Sequence, residues 1–183
     1  MLRLPDLPRV FLDTETTGLD PDKHELIEFA AIKHHPSDDT VEVLEFKIRP
    51  ENIKTASPVA LEVNGYTEEG WSDAISISDA LPQIKDFIYG CIVIGHNVSF
   101  DLGFIRASFK RHGLGRSLVR SADTLHMARE YLWNKGLPNF KLESVCDYYG
   151  VSNAGAHTAL ADVIRCKEVF DRMYKLLADG PGG

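Results

Sequence analysis

An apolar run, Val10-Phe11-Leu12, passes directly into Asp13-Thr14-Glu15, and this junction restricts the rest of the chain more than any other stretch. The run reads as a buried strand. A buried strand that delivers two acids sets up a conflict, because unpaired charge away from water is costly. Side chains alternate along a strand, so Asp13 and Glu15 project from one face and Thr14 from the other. Carboxylates held that close repel one another unless a cation lies between them, and hard oxygen ligands favour a divalent ion such as Mg2+ or Mn2+. From this stretch alone two readings stay open: a metal site, or a strand running into a polar turn at Gly18-Leu19-Asp20-Pro21 with two solvated acids at its mouth.

A chain of 183 residues has the length of one domain and enough material for a sizeable core. Its 44% hydrophobic and 26% charged residues exclude wholesale disorder and fibrous architectures. No apolar window reaches the roughly 18 residues of a membrane span, and MLRLPDLPRV carries two prolines and no signal-peptide core. The three cysteines, Cys91, Cys146 and Cys166, lie far apart, which excludes a disulfide framework and a zinc cluster. The expectation is a cytoplasmic protein that neither crosses a membrane nor is secreted. A net charge of −7 argues against coating a long nucleic acid but not against gripping a short end.

After the first strand, residues 25–35 and 41–48 read as two more strands around the turn Pro36-Ser37-Asp38-Asp39. Their short connections predict an antiparallel meander. A helical turn is expected over Pro58 to Val63, and a longer helix toward Tyr89, capped by Ser78 and Asp79, with Pro82 in its first turn. Cys91 to Gly95 is a continuous apolar run, as a central strand requires, and Phe100, Phe104, Ile105 and Phe109 follow at helical spacing. This strand, turn and helix place His96 and Asn97 at the carboxyl end of the strand. A short fifth strand is expected over 118–123 and helices over 123–133 and 141–149. A last helix over 157–178 carries Leu160, Val163, Ile164, Phe170, Met173, Tyr174 and Leu177 on one face.

Two further polar groups interrupt apolar patterns. Asp101 lies one turn into its helix, where it can face back toward a strand end, although an acid in a first turn also suits the helix dipole. Asn97 reads more readily as a helix cap than as a ligand. His157 and Asp162 are five residues apart, about 140° around a regular helix axis, so they do not share a face. His157 is therefore assigned to the lead-in after Ser152-Asn153-Ala154-Gly155-Ala156, and Asp162 to the rigid helix. By themselves these residues also fit a solvated helix start with a surface histidine.

Taken together, Asp13-x-Glu15, His96-Asn97-x-x-x-Asp101 and His157-x-x-x-x-Asp162 resemble the three motifs of the DnaQ-like (DEDDh) 3′–5′ exonucleases. The likeness extends through DTETTGLDP, GHNVSFDLGFI, KLESVCDYYGV and HTALADV, from about residue 9 to 175. The histidine variant is indicated because His157 stands five before Asp162 while the position four before is Thr158. The resemblance implies a ribonuclease H-like α/β fold, a mixed five-stranded sheet flanked by helices, as a single exonuclease domain over 1–183 with its core at about 9–178. It implies that Asp13, Glu15, Asp101 and Asp162 bind two Mg2+ or Mn2+ ions and that His157 is the general base. The activity implied is hydrolysis of single-stranded DNA or RNA from the 3′ end to nucleoside 5′-monophosphates. The alternative is a non-catalytic or weakly catalytic nucleic-acid-binding module attached to a polymerase or helicase, and a third reading is an endonuclease of the same broad fold.

Further site residues follow by resemblance. Thr14, Thr16 and Gly18 would lie along the terminal nucleotide, with Asn97 nearby, and Phe100 would stack on a terminal base, although Phe100 also fits the core stripe of its helix. Partners implied are a nucleic-acid 3′ end and a polymerase or other replication or repair protein. The chain departs from many relatives at Asn64, where they carry histidine. Five basic residues from Arg106 to Arg120, with no acid until Asp123, read either as a track for phosphates or as a solvated face.

Overall fold

The computed structural model describes residues 7–116, 119–156 and 158–179. Five strands form one sheet in the order β3-β2-β1-β4-β5. Strands β1 (Arg9–Thr16), β2 (Leu26–His35) and β3 (Thr40–Lys47) make the expected antiparallel meander. Strands β4 (Ile92–Gly95) and β5 (Arg120–Asp123) add in parallel beyond β1. Helices follow as α1 (Pro58–Val63), α2 (Ile77–Ile88), α3 (Val98–Arg111), α4 (Thr124–Leu132), α5 (Leu142–Tyr149) and α6 (Ala159–Asp179). This mixed sheet flanked by helices is the ribonuclease H-like arrangement.

The period of two along β1 sorts the core into two layers. Val10 and Leu12 pack with Leu81 and Ile84 of α2 and Phe104 and Ile105 of α3. Phe11, between them, turns the other way and packs with Ala159, Val163 and Phe170 of α6. A third cluster joins α4, α5 and α6 through Leu132, Val145, Val169 and Met173. Asp13 and Glu15 continue the Phe11 face, beside α6, while Thr14 continues the α3 face.

Local departures from expectation have local causes. Helix α2 begins at Ile77, capped by Ser76, whose hydroxyl accepts from Asp79 N–H at 3.1 Å and donates to Asp79 Oδ2 at 2.6 Å. Ser76 takes the capping position expected of Ser78 and Asp79, which moves Pro82 from the first turn to the helix interior. Strand β4 starts at Ile92, one residue after Cys91. On α6, Ile164 is exposed, and Cys166 and Val169 complete the buried stripe in its place. His157, Leu118 and the side chain of Leu177 lie outside the described residues.

Pairing of β1 with β4 ends at Phe11 and Ile94, so the last residues of β1 run on without a neighbour on that side. The chain leaves β4 at Gly95, where an added Cβ would come within 3.2 Å of Leu12 O and 3.1 Å of Val98 Cγ2. Glycine permits that approach, and α3 starts beside the free end of β1. On the other side, a bulge between Glu15 and Thr16 ends the regular β1–β2 register.

Candidate metal centre and active site

Three acids meet at the carboxyl end of β1. One carboxylate oxygen from each of Asp13, Glu15 and Asp162 lies within 4.8 Å of the others. The strand supplies two of them from one face, and α6, packed on that face, supplies the third from its first turn. The fourth predicted ligand, Asp101, comes from the first turn of α3, on the opposite side of β1, and is only 3% exposed. Its Oδ1 accepts a 2.7 Å hydrogen bond from the Thr14 hydroxyl. Thus three acids share one cluster, while Asp101 is held at its border through Thr14.

The electrostatics show what the cluster lacks. Burial, and then the charges of Asp101, Asp162 and Glu15, push the Asp13 carboxyl well above its ordinary range. Burial, followed by Glu28, Asp162 and Asp101, raises Glu15 to about 8. Burial raises Asp101 to about 7, against the Thr14 hydrogen bond, which favours its ionised form. Asp13, Glu15 and Asp101 thus sit where none gains full charge easily without a cation nearby. Converging hard oxygen donors in such a deficit fit a divalent ion, and Asp13, Glu15 and Asp162 could hold one directly.

One internal cation partly answers the deficit. Arg165, 5% exposed, donates from Nη2 to Asp162 Oδ1 and, at 2.7 Å, from Nη1 to Asn153 Oδ1. Asn153 in turn donates to Asp147 Oδ1 at 2.8 Å. Arg165 therefore links the acid on α6 to the segment that precedes residue 157.

Sequence reasoning misses Glu28, the direct cross-strand partner of Glu15. It is 6% exposed, and its Oε1 accepts from Ala159 N–H, the first amide of α6, at 3.1 Å. The available signal is that of Asp13, an acid inside a continuous apolar run, Leu26-Ile27-Glu28-Phe29-Ala30. Beyond Glu28 opens a groove of about 520 Å³, bordered by Lys47, Asn64, Trp71, Leu160 and Ile164.

The remaining predicted residues have distinct local partners. The Thr16 hydroxyl donates to Gly18 O at 2.7 Å, closing the turn after β1. Gly18 lies under the His24 ring, which an added Cβ would meet at 2.5 Å. Asn97 occupies the N-cap position of α3 in a left-handed conformation, φ 68°, without a side-chain cap bond. Its N–H is bound by Asp123 Oδ1 at 2.9 Å, and its side chain is exposed. Phe100 is half-buried, its ring centroid 4.9 Å from that of Phe104. His96 bridges Thr124 Oγ1 at 3.0 Å and Phe140 O at 2.9 Å, and burial lowers its pKa. The departure at Asn64 is structural: its Nδ2 donates to Thr16 O at 3.0 Å, tying the end of α1 to β1. All five residues of the basic run are exposed, and among them Arg111 donates to Pro21 O at 3.0 Å and His24 O at 3.2 Å.

Comparison with known proteins agrees with this arrangement. The RNase_T exonuclease family model matches residues 10–170. The chain is 29% identical over 176 residues to the PolC-type DNA polymerase III of Staphylococcus epidermidis, covering 96% of this chain and 12% of that protein. The same figures hold for the PolC-type enzyme of Staphylococcus aureus. The chain thus spans about an eighth of the length of these relatives. Among solved structures, E. coli Exonuclease I in complex with a dT13 oligonucleotide superposes with a TM-score of 0.74 at 23% identity, over 92% of this chain and 40% of that one. The zinc-bound complex of the same protein with single-stranded DNA gives 0.73 at 23%, over 93% and 43%. At that identity the likeness is one of fold.

Proposed function

The chain belongs to the exonuclease family that the RNase_T model describes, and on that premise we propose that it removes nucleotides from the 3′ end of single-stranded DNA or RNA. The reading rests above all on the convergence of Asp13 and Glu15 from β1 with Asp162 from α6 within 4.8 Å. Asp13, Glu15, Asp101 and Asp162 would hold two Mg2+ or Mn2+ ions. Bound divalent ions supply Lewis-acid stabilisation of charge on a phosphodiester under attack by water. The chain's own residues do the rest. His157 accepts the proton of the attacking water, a task for which an imidazole, with an unperturbed pKa of about 6.5, is the suited side chain near neutral pH. Thr14 keeps Asp101 ionisable, and Arg165 holds Asp162 in place.

Phe100, half-buried and next to Asp101 in the chain, would offer a face on which a terminal base stacks, and Thr16, Gly18 and Asn97 would lie along the terminal nucleotide. The unit of activity is the domain over 1–183, with its core at about 9–178. Among the described residues no helix is long and apolar enough to cross a membrane, and the three buried cysteines are free, as a reducing cytoplasm allows. The PolC-type relatives make a polymerase the natural kind of partner.

The test is release of mononucleotides from a 5′-labelled oligonucleotide by the protein, by Asp13→Ala and by Asp162→Ala, with Mg2+ or EDTA. A ladder shortening from the 3′ end, lost in both variants and under EDTA, is expected. Binding of the oligonucleotide without turnover would instead leave a non-catalytic module, and internal cuts would make the enzyme an endonuclease.

A further inference from the structure

Glu28 lies inside the sheet, where a carboxylate is costly unless something holds it. Its neighbours make the position worse, because Glu15 faces it directly across the β1–β2 ladder, and like charges opposed on a sheet repel. Lys47, its partner on β3, lends its charge but makes its bond elsewhere: Nζ donates to Gly70 O at 2.7 Å and sits 4.3 Å from the Trp71 ring centroid. An apolar residue would fill the position at lower cost if packing were its purpose. The hydrogen bond that Glu28 makes is to Ala159 N–H at 3.1 Å, across 131 positions of sequence.

That bond falls at an informative place. The first amides of a helix have no partner within it. Thr158, immediately before α6, spends its hydroxyl proton on Gly155 O at 3.1 Å, and its carbonyl accepts from Asp162 N–H at 3.1 Å. Asp162 therefore belongs to the same first turn whose leading amide Glu28 grips. Neutral and charged side-chain oxygens satisfy such an amide about equally well, so what the position requires is an acceptor.

We infer that Glu28 is a positioning residue: by clamping the first turn of α6 to β2, it sets Asp162 against Asp13 and Glu15. The consequence for turnover rests on the function proposed above, whereas the consequence for metal binding does not. Glu28 does not itself join the three oxygens that converge. Its role is to fix how far the acid of one element reaches toward the acids of another.

Two variants of the full chain separate this role from its rivals. Glu28→Gln keeps an acceptor oxygen and removes the charge, while Glu28→Met fills the space and removes the acceptor. Calorimetric titration with Mn2+ alone should show Glu28→Gln within about threefold of the parent and Glu28→Met weaker by roughly 10- to 100-fold, the range for groups that orient metal ligands. Hydrogen exchange at the Ala159 amide should quicken in Glu28→Met and not in Glu28→Gln. Thermal stability of Glu28→Met should equal or exceed that of the parent, so that lost metal affinity is not lost fold. In the cleavage assay kcat should fall in Glu28→Met with KM little changed, and Glu28→Gln should restore it. Equal weakening by both variants would overturn the inference by showing that charge matters rather than the bond, and so would parental Mn2+ affinity in Glu28→Met. A parent that binds Mn2+ with this pattern but cleaves nothing would sink the nuclease reading and leave the clamp standing. A parent that binds no Mn2+ would overturn both.

Discussion

The Thr14 hydroxyl donates a 2.7 Å hydrogen bond to Asp101 Oδ1, joining β1 to α3 across 87 positions of sequence. The bond favours the ionised form of an acid that burial pushes up to about 7. Thr14→Val keeps the shape and removes the donor, so the Asp101 pKa should rise further. The acid limb of kcat/KM against pH should then move to higher pH, with a loss of roughly 10-fold or more near neutrality, as for other groups that support metal ligands. Thr14→Ser should behave like the parent. A pH profile unchanged in Thr14→Val would refute this role.

Stability of the chelated protein should fall as pH rises. Glu15 and Asp101 have folded pKa values raised from ordinary ones of 4.5 and 3.8 to about 8 and about 7. Raised acids bind protons more tightly in the folded state, so the stability they lend is complete below their unfolded pKa and is lost as pH climbs through about 7 and 8. In EDTA the Tm should therefore be higher at about pH 5.5 than at about pH 8.5, and Mg2+ should raise it most at the higher pH. A Tm in EDTA that is flat or rises over this interval contradicts the electrostatics described.

Removal of Arg165 should expose the charge deficit. Arg165→Met leaves the half-buried Asp162 beside Asp13 and Glu15 without its guanidinium, and a loss toward the lower end of the about 3–5 kcal/mol for breaking a buried ion pair is expected. Urea unfolding at neutral pH in EDTA should register a loss of this size, and Mg2+ should recover part of it. A variant as stable as the parent in EDTA would mean that the pair contributes nothing to holding the cluster.

Asn64 should matter for stability. Its side chain donates to Thr16 O and accepts from Tyr66 N–H at 3.2 Å, so Asn64→Ala leaves a buried carbonyl unsatisfied. A loss of about 1–3 kcal/mol is expected from urea denaturation. An Asn64→Ala midpoint equal to that of the parent would show that water or a neighbour takes over the carbonyl.

Local chemistry was legible along the chain to a large extent. The meander could be read because Pro36-Ser37-Asp38-Asp39 is a turn between alternating runs, and α1 because Pro58 opens a short apolar stretch. Asp13 and Glu15 announce themselves because a period of two puts both on one side of a strand whose neighbours are apolar. Glu28 carries a similar signal but loses it to its surroundings, since one acid in a long strand passes for an outward position under simple alternation. Arg165 reads in sequence as an ordinary exposed helix cation spaced for an i,i+3 pair, and only its burial gives the pair weight.

What the amino-acid sequence determined by itself was the inventory and its spacing: which strands and helices form, which acids interrupt apolar runs, and which family those interruptions resemble. Spacing acts over a few residues, through backbone periodicity, and so is written locally. The tertiary structure alone decided that β1 lies between β2 and β4, that α6 packs on the Phe11 face of the sheet and α3 on the other, and hence that Asp162 joins Asp13 and Glu15 directly while Asp101 reaches them past Thr14. These choices belong to packing, because the residues that meet are more than eighty positions apart and nothing local to any of them records which face the others will occupy.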